Sequence, residues 1–252
     1  MAASPRRPHH ASDRLVACYP AGEGLRSRSV SERVLTTRLA VPAPPPRLWA
    51  DWQRETALHL RLEPGDVEAL PLARARARWP DFRRCAEAVS GWTRTLGLHA
   101  PLADCDVALM ACRGARYHHD AAQYGGAVFC NLFLSEDCGL DVHFPVTGDR
   151  IPLVRGTAMV FDTGQPHAVI PRGRSRGFDA ADFGPGAQGL QVFLTWELPV
   201  ENAAVAGALG IAFDVDPALA SRHDEAQLWR NGARAALCAD SGRWRRAEGG
   251  AG

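Results

Sequence analysis

The sequence contains no lysine, so all 29 of its basic residues are arginines. These arginines are interspersed with 28 acidic residues, and the formal net charge is only +1. The chain therefore lacks the broad basic stripe, interleaved with aromatic side chains, that proteins use to bind nucleic-acid backbones. We do not expect nucleic acid as an obligatory partner.

Long hydrophobic runs are also missing. No apolar stretch reaches the roughly 20 residues that cross a bilayer. The first residues, MAASPRRPHHASDR, lack the hydrophobic run of a secretory signal. The seven cysteines include no C-x-x-C pair, which argues against a structural zinc site and suits free thiols in a reducing compartment. These absences predict a cytoplasmic protein without a membrane segment.

The overall composition is typical of a folded protein. Hydrophobic residues make up 46% and charged residues 23% of the 252 positions, enough for one sizeable core. Residues 1–14 are rich in Arg, Pro and His without periodicity, and we interpret them as a disordered leader. Residues 15–252 are interpreted as a single domain.

Helices are predicted on both sides of a central region. Residues from about 67 to 98 carry apolar side chains at helical spacing, and Trp79-Pro80 divides them into two supporting helices. Covering helices are predicted at about 200–240, including one over Pro217–Cys238. Residues 34–41, VLTTRLAV, have strand character instead.

The central region, from about 104 to 199, consists of short runs rich in β-branched and aromatic residues. Gly, Asp and Pro separate these runs, a pattern that indicates an antiparallel sandwich or barrel. The runs are DVALMAC, RYHHD, AVFCNLFL, LDVHFPV, IPLV, TAMVF, HAVIP and LQVFLTWEL. The sequence therefore predicts a mainly β protein with flanking helices.

A candidate metal site lies in two of these runs. His118 and Asp120 are two residues apart in RYHHD, and residues i and i+2 of an extended chain project to the same face. His167 opens the run HAVIP directly after the turn DTGQP and is the best candidate for a third ligand. Two histidines and one carboxylate leave coordination positions open for Fe(II) to bind a cosubstrate and O₂. These three residues are the predicted metal-ligating and catalytic residues.

The run from Tyr117 to Pro171, about a quarter of the chain, resembles the Fe(II)- and 2-oxoglutarate-dependent dioxygenases, particularly their prolyl-hydroxylase branch. The likeness lies, in order, in His118-x-Asp120, NLFLSED followed by CGLDVHFP, RGTAMVFD, and His167-x-Val169-x-Pro171. The resemblance implies a double-stranded β-helix core of the jelly-roll or cupin type. It also implies Fe(II), 2-oxoglutarate and O₂ as cofactors, and hydroxylation of a small molecule or of a peptide or protein side chain, with release of succinate and CO₂.

Members of this family hold the far carboxylate of 2-oxoglutarate with an Arg or Lys, which offsets the buried negative charge. The resemblance makes Arg176 the first candidate for this anchor and Arg174 the second. The strand LQVFLTWEL offers Gln191 where a base is expected. Tyr124 and Asn131 are further candidates for lining the cosubstrate pocket.

Two other interpretations stay open. One is a cupin-like metal dioxygenase that binds its organic substrate directly to iron and does not use 2-oxoglutarate. The other is a catalytically silent ligand-binding barrel, although three intact ligands argue against it. Release of succinate from 2-oxoglutarate would distinguish a 2-oxoglutarate-dependent dioxygenase from both of these alternatives.

Overall fold

The computed structural model describes residues 14–174, 177–184 and 189–245. All but the last residue of the predicted leader, 1–14, lies outside these ranges. Within them, no helix combines the length and the apolar character needed to cross a membrane.

The helices of the described chain flank or interrupt the sheets. They are α1 Pro46–Arg54, α2 Leu72–Arg78, α3 Phe82–Thr95, α4 His99–Ala103, α5 Ala121–Tyr124, α6 Ala203–Leu209 and α7 Pro217–Ala220, with a π-helical turn at Glu55–His59 and a 3₁₀ turn at Ala180–Asp182. The two predicted supporting helices are confirmed as α2 and α3, and Trp79-Pro80 separates them.

More residues of the described chain are in strands than in helices. The strands are β1 Leu15–Ala21, β2 Gly24–Ser29, β3 Val34–Arg38, β4 Val67–Leu70, β5 Val107–Arg113, β6 Ala115–His118, β7 Ala127–Phe133, β8 Leu140–Phe144, β9 Asp149–Pro152, β10 Thr157–Asp162, β11 His167–Pro171, β12 Leu190–Pro199, β13 Gln227–Arg230, β14 Ala233–Arg234, β15 Ala236–Leu237 and β16 Trp244–Arg245. Each of the eight runs of the central region contributes to one strand, β5 to β12, and the mainly β character is confirmed. The run RYHHD is strand only to His118, so Asp120, predicted to lie in the same extended segment, instead directly precedes α5.

Two antiparallel sheets contain these eight strands. The large sheet has the order β3-β10-β7-β12-β5-β4, and the small sheet has the order β6-β11-β8-β9. From β5 to β12 the chain alternates between the two sheets, except that β8 and β9 follow each other in the small one. This alternation brings residues that are distant in sequence onto neighbouring strands.

Both faces of the large sheet are buried, and successive side chains of each strand point to opposite faces. On β7, Val128, Cys130 and Leu132 pack in a core with the helices, including Trp79 of the loop between α2 and α3. Burial of each such side chain stabilises the fold by about 1.5–3 kcal/mol. The alternate positions of β7 face the small sheet.

Two stretches of the described chain differ from the helices predicted for them. Pro217–Ala220 is helical, but the predicted covering helix is wrong beyond it, because β13 and β14 form a hairpin. Asn231 and Gly232, the two residues between these strands, have φ of 51° and 81°, the backbone that a tight two-residue hairpin turn requires. The stretch predicted as helical from about 67 also begins with strand β4. β13 joins β14, β1 and β2 in a separate four-stranded sheet.

Candidate metal centre

The three predicted ligands converge at one end of a cavity between the two sheets. His118 ends β6, His167 begins β11, and the two residues are antiparallel partners in register. Asp120 follows His118 by two residues and precedes α5. One ligand atom from each side chain lies within 4.8 Å of the other two. The structure therefore brings together residues that are 47 positions apart in the chain.

Both imidazoles are oriented by backbone carbonyl groups. Nδ1 of His118 lies 2.6 Å from the carbonyl oxygen of Arg116, and Nδ1 of His167 lies 3.0 Å from that of Gln165. Because a carbonyl only accepts, each Nδ1 carries a proton, and in the neutral ring this leaves the lone pair on Nε2. Both Nε2 atoms lie 3.7 Å from a carboxylate oxygen of Asp120. Two imidazoles and one carboxylate thus present their ligand atoms to one point, the arrangement that a divalent transition-metal ion fits.

Burial disfavours the charged forms of His167 and Asp120. Burial, followed by the nearby His118, lowers the pKa of His167 to about 3, so that its ring stays neutral near pH 7. Burial also raises the pKa of Asp120. A bound cation would favour the ionised carboxylate and offset the cost of removing it from water.

The cavity has a volume of about 400 Å³ and extends inward from the three ligands. The large sheet contributes side chains to it in successive rows that follow the strand register. The rows are Glu197, Phe129 and Phe161 beside the ligands, then Thr195, Asn131 and Met159, then Phe193 and Phe133. We call His118, Asp120 and His167 the metal end of the cavity, and Cys112, Phe133 and Phe193 the inner end.

Aromatic side chains dominate the walls of the cavity. Near the metal end, the rings of Phe161 and His167 have centroids 4.9 Å apart. At the inner end, the rings of Phe133 and Phe193 stack with centroids 5.0 Å apart and an interplanar angle of 29°. Sequence reasoning did not identify Phe193, Thr195 or Glu197. Their period-two spacing on β12 is the signal that could have identified them.

Tyr124 and Asn131, both predicted to line the pocket, are among the residues that line it. The hydroxyl of Tyr124 accepts a hydrogen bond from Nε2 of Gln123, 3.0 Å away. Asn131 is 7% exposed, and its Oδ1 has no hydrogen-bond partner among the described residues. Asn131 can therefore accept a hydrogen bond from a bound molecule.

Unlike Tyr124 and Asn131, the arginines predicted to anchor 2-oxoglutarate are not among the described residues that line the cavity. Arg176 lies outside the described residues. Arg174 does not line the cavity, and its guanidinium pairs with Asp182 at 2.5 Å. The described lining residues include no arginine. Gln191, one row beyond Phe193 on β12, is fully buried, and neither amide atom has a partner in the described part of the chain.

The two remaining histidines of the region stand apart from the ligand group. His119 neighbours His118, but the group of converging donor atoms does not include it. Nδ1 of His143 lies 2.6 Å from the hydroxyl of Tyr117. Both positions agree with the interpretation that only His118 and His167 supply imidazole ligands.

No family model matches the chain, and no curated protein matches it in sequence. Similar solved structures include a Pseudomonas putida prolyl-4-hydroxylase, with 20% identity, 66% of this chain and 92% of that chain covered, and a TM-score of 0.38. The viral collagen prolyl hydroxylase of Paramecium bursaria Chlorella virus-1, in its 2-oxoglutarate complex, has 10% identity, 65% and 94% coverage, and a TM-score of 0.38.

A third similar structure is SnoN, a non-haem α-ketoglutarate-dependent epimerase from nogalamycin biosynthesis. It has 12% identity, 68% and 83% coverage, and a TM-score of 0.34. With TM-scores below 0.5, the three structures do not by themselves assign this chain to a family.

Proposed function

We propose that the protein is an Fe(II)- and 2-oxoglutarate-dependent oxygenase whose iron is held by His118, Asp120 and His167. The observation that carries the proposal is the convergence of two carbonyl-oriented imidazoles and one carboxylate within 4.8 Å at the end of a cavity. Two histidines and one carboxylate are the ligand set of non-haem Fe(II) oxygenases. We also propose that β5–β12 form a double-stranded β-helix, which the alternation of these strands between two sheets supports.

Iron and 2-oxoglutarate, when bound, would supply the chemistry by which O₂ oxidises a C–H bond to C–OH, one oxygen atom going to the product and the other to succinate as CO₂ is released. The residues of the chain orient and enclose the reacting groups. The carbonyl groups of Arg116 and Gln165 fix the rings of His118 and His167 with Nε2 toward the ion. Phe161 packs against His167 and limits the access of water to that ligand.

The size and lining of the cavity bear on the substrate. A cavity of about 400 Å³ with mostly apolar walls suits a small molecule, or one side chain that enters from a peptide. Tyr124, Asn131 and Thr195 line the cavity and offer hydroxyl and amide groups for hydrogen bonds. We propose that these three groups orient the cosubstrate or the substrate beside the metal end.

A metal dioxygenase that does not use 2-oxoglutarate is the second candidate. The observation that favours it is the lining of the cavity, in which none of the described residues is an arginine. A buried carboxylate without a cationic partner is costly. Arg176 remains the proposed anchor of 2-oxoglutarate in the first candidate, so the effect of replacing it distinguishes the two candidate functions.

The test is the Fe(II)-dependent conversion of 2-oxoglutarate to succinate, measured by mass spectrometry on the full-length protein with ascorbate and O₂. We expect slow succinate release without substrate, its loss in His167→Ala, and a large rise in the KM for 2-oxoglutarate in Arg176→Gln. Arg174→Gln is the matched control, because Arg174 already pairs with Asp182. Wild-type protein that binds iron but releases no succinate would contradict the first candidate.

A further inference from the structure

A buried arginine from outside the eight central strands is hydrogen-bonded to two turns that carry metal ligands, residues 120–125 and 162–167. Arg28 belongs to β2, and its side chain and that of its partner Asp162 are both 0% exposed. We propose that Arg28 is a positioning residue which, together with Asp162, fixes the turns that carry Asp120 and His167 and thereby sets the metal affinity. This inference rests on the proposed metal centre.

The guanidinium group of Arg28 joins two separate segments of the chain. Its Nη1 and Nη2 donate to the two carboxylate oxygens of Asp162, at 2.7 and 2.8 Å. Its Nε donates to the carbonyl oxygen of Gly125, at 2.7 Å. Because guanidinium is planar and its donors are fixed relative to one another, these bonds hold Asp162 and Gly125 in one geometry.

Asp162 leads to the ligand His167. It ends β10, and its carboxylate also accepts the backbone N–H groups of Ser31 and Gly164, each at 2.8 Å. The carbonyl of Asp162 accepts the N–H of Gln165 at 2.9 Å, and the carbonyl of Gln165 accepts Nδ1–H of His167 at 3.0 Å. An unbroken series of hydrogen bonds therefore runs from Arg28 to the imidazole ligand.

Gly125 leads to the ligand Asp120. It follows α5, in which the N–H of Tyr124 donates to the carbonyl of Asp120 at 2.7 Å. The N–H of Asp120 donates to the carbonyl of Thr163 at 2.7 Å. The hydroxyl of Thr163 lies 2.7 Å from the carbonyl of Tyr124, so the two turns are also bonded directly to each other.

The neighbouring arginine on the same strand shows what is specific to Arg28. Arg26 is 35% exposed and pairs with Asp214 and Glu201, away from the ligand turns. A surface pair of this kind contributes little to stability. A buried pair stabilises a fold no better than apolar packing would, whereas the Arg28–Asp162 pair spans two ligand-bearing turns. Its placement therefore points to orientation of the metal ligands.

The test compares Co(II) affinity, visible absorption of the bound Co(II) and the thermal midpoint of the metal-free protein in three full-length variants. Arg28→Met removes the donors, Arg28→Lys keeps the charge but not the fork, and Arg172→Met is the matched control. Arg172 also pairs with a buried carboxylate, Asp141 at 2.8 Å, but contacts neither ligand turn. We expect Co(II) affinity to fall about 10–100-fold in Arg28→Met, to fall less in Arg28→Lys, and to stay within about twofold in Arg172→Met.

If Arg28→Met does not fold, Arg28→Lys and Thr163→Val carry the test. Thr163→Val removes only the hydroxyl, and we expect a loss of affinity of about threefold. Folded Arg28 and Thr163 variants with wild-type Co(II) affinity and spectrum would overturn the inference, as would an equal loss in Arg172→Met. Failure of the metal centre itself is a different result, because wild-type protein would then bind no Co(II).

Discussion

The two ends of the cavity are built from opposite kinds of side chain. The inner end packs Cys112, Phe133 and Phe193 as an ordinary core does. At the metal end, His118 and His167 are 35% and 10% exposed, and burial raises the pKa of Asp120. Apolar burial stabilises the inner end, whereas the metal end keeps polar groups partly dehydrated, which costs stability until a cation binds. The fold and the proposed chemistry thus depend on different residues of one cavity.

Removal of a ligand at the metal end should have the largest effect on metal binding. We expect His118→Ala to weaken Co(II) binding by more than about 100-fold, since a vacant ligand position costs at least as much as a lost supporting contact. His119→Ala is the matched control, because the adjacent ring is outside the ligand group. Calorimetric titration measures both, and equal losses in the two variants would contradict the assignment.

Truncation at the inner end should act on stability instead. Phe193→Ala removes the ring that stacks on Phe133 and enlarges the cavity there, and should lower the free energy of unfolding by about 3–5 kcal/mol. Leu58→Ala, at a site 65% exposed, should change it by less than about 0.5 kcal/mol. Urea unfolding of the metal-free proteins gives both values. A large loss of Co(II) affinity in folded Phe193→Ala would remove the distinction between the two ends.

The pH dependence of stability should report on His167 in the metal-free protein. Its pKa is lowered to about 3 in the fold, below the value of about 6.5 in an unfolded chain. The unfolded state therefore binds the proton more readily, and stability is lost as pH falls from about 6.5 toward 3. For one proton the slope reaches about 1.4 kcal/mol per pH unit. We expect His167→Gln to show a shallower slope in urea unfolding between pH 5 and 6.5, and an unchanged slope would contradict this account.

The smallest effect on binding predicted for the cavity is at Asn131, in the row of lining residues between its metal end and its inner end. Asn131 lines the cavity, and its Nδ2 group can donate a hydrogen bond to an oxygen of 2-oxoglutarate, the loss of which costs about 1 kcal/mol. We expect Asn131→Ala to weaken 2-oxoglutarate binding to the Co(II)-loaded protein about fivefold while Co(II) affinity stays unchanged. Unchanged binding of 2-oxoglutarate would exclude Asn131 as a contact of the cosubstrate.

Most of the central strands could be predicted from the sequence because they are short apolar runs separated by Gly, Asp or Pro; the polar run RYHHD is the exception. The hairpin of β13 and β14 differs from the predicted helix over Pro217–Cys238 because the apolar residues at 219, 228, 235 and 237 have a spacing that also suits a helical stripe. The pair Asn231-Gly232 is the local sequence signal that indicates the tight turn. Hairpin β1–β2 was missed because its second strand, GLRSRS, has few apolar residues.

The candidate site could be predicted in part for the same kind of reason. His118 and Asp120 are revealed by local spacing, and His167 by its position after a turn. The Arg28–Asp162 pair spans 134 positions, and no pattern within one strand reports a buried partner so far along the chain. The anchor prediction falls on Arg176, outside the described residues, and on Arg174, which pairs with Asp182.

The most direct test of the central claim is a count of bound metal per chain. Full-length protein and its Asp120→Ala variant would be loaded with Fe(II) without oxygen, desalted and analysed by mass spectrometry of the metal. We predict one equivalent in the wild type and almost none in the variant, with the fold of both verified by circular dichroism. A wild type that holds no iron, or an Asp120→Ala variant that holds as much as the wild type, would contradict the proposed metal centre.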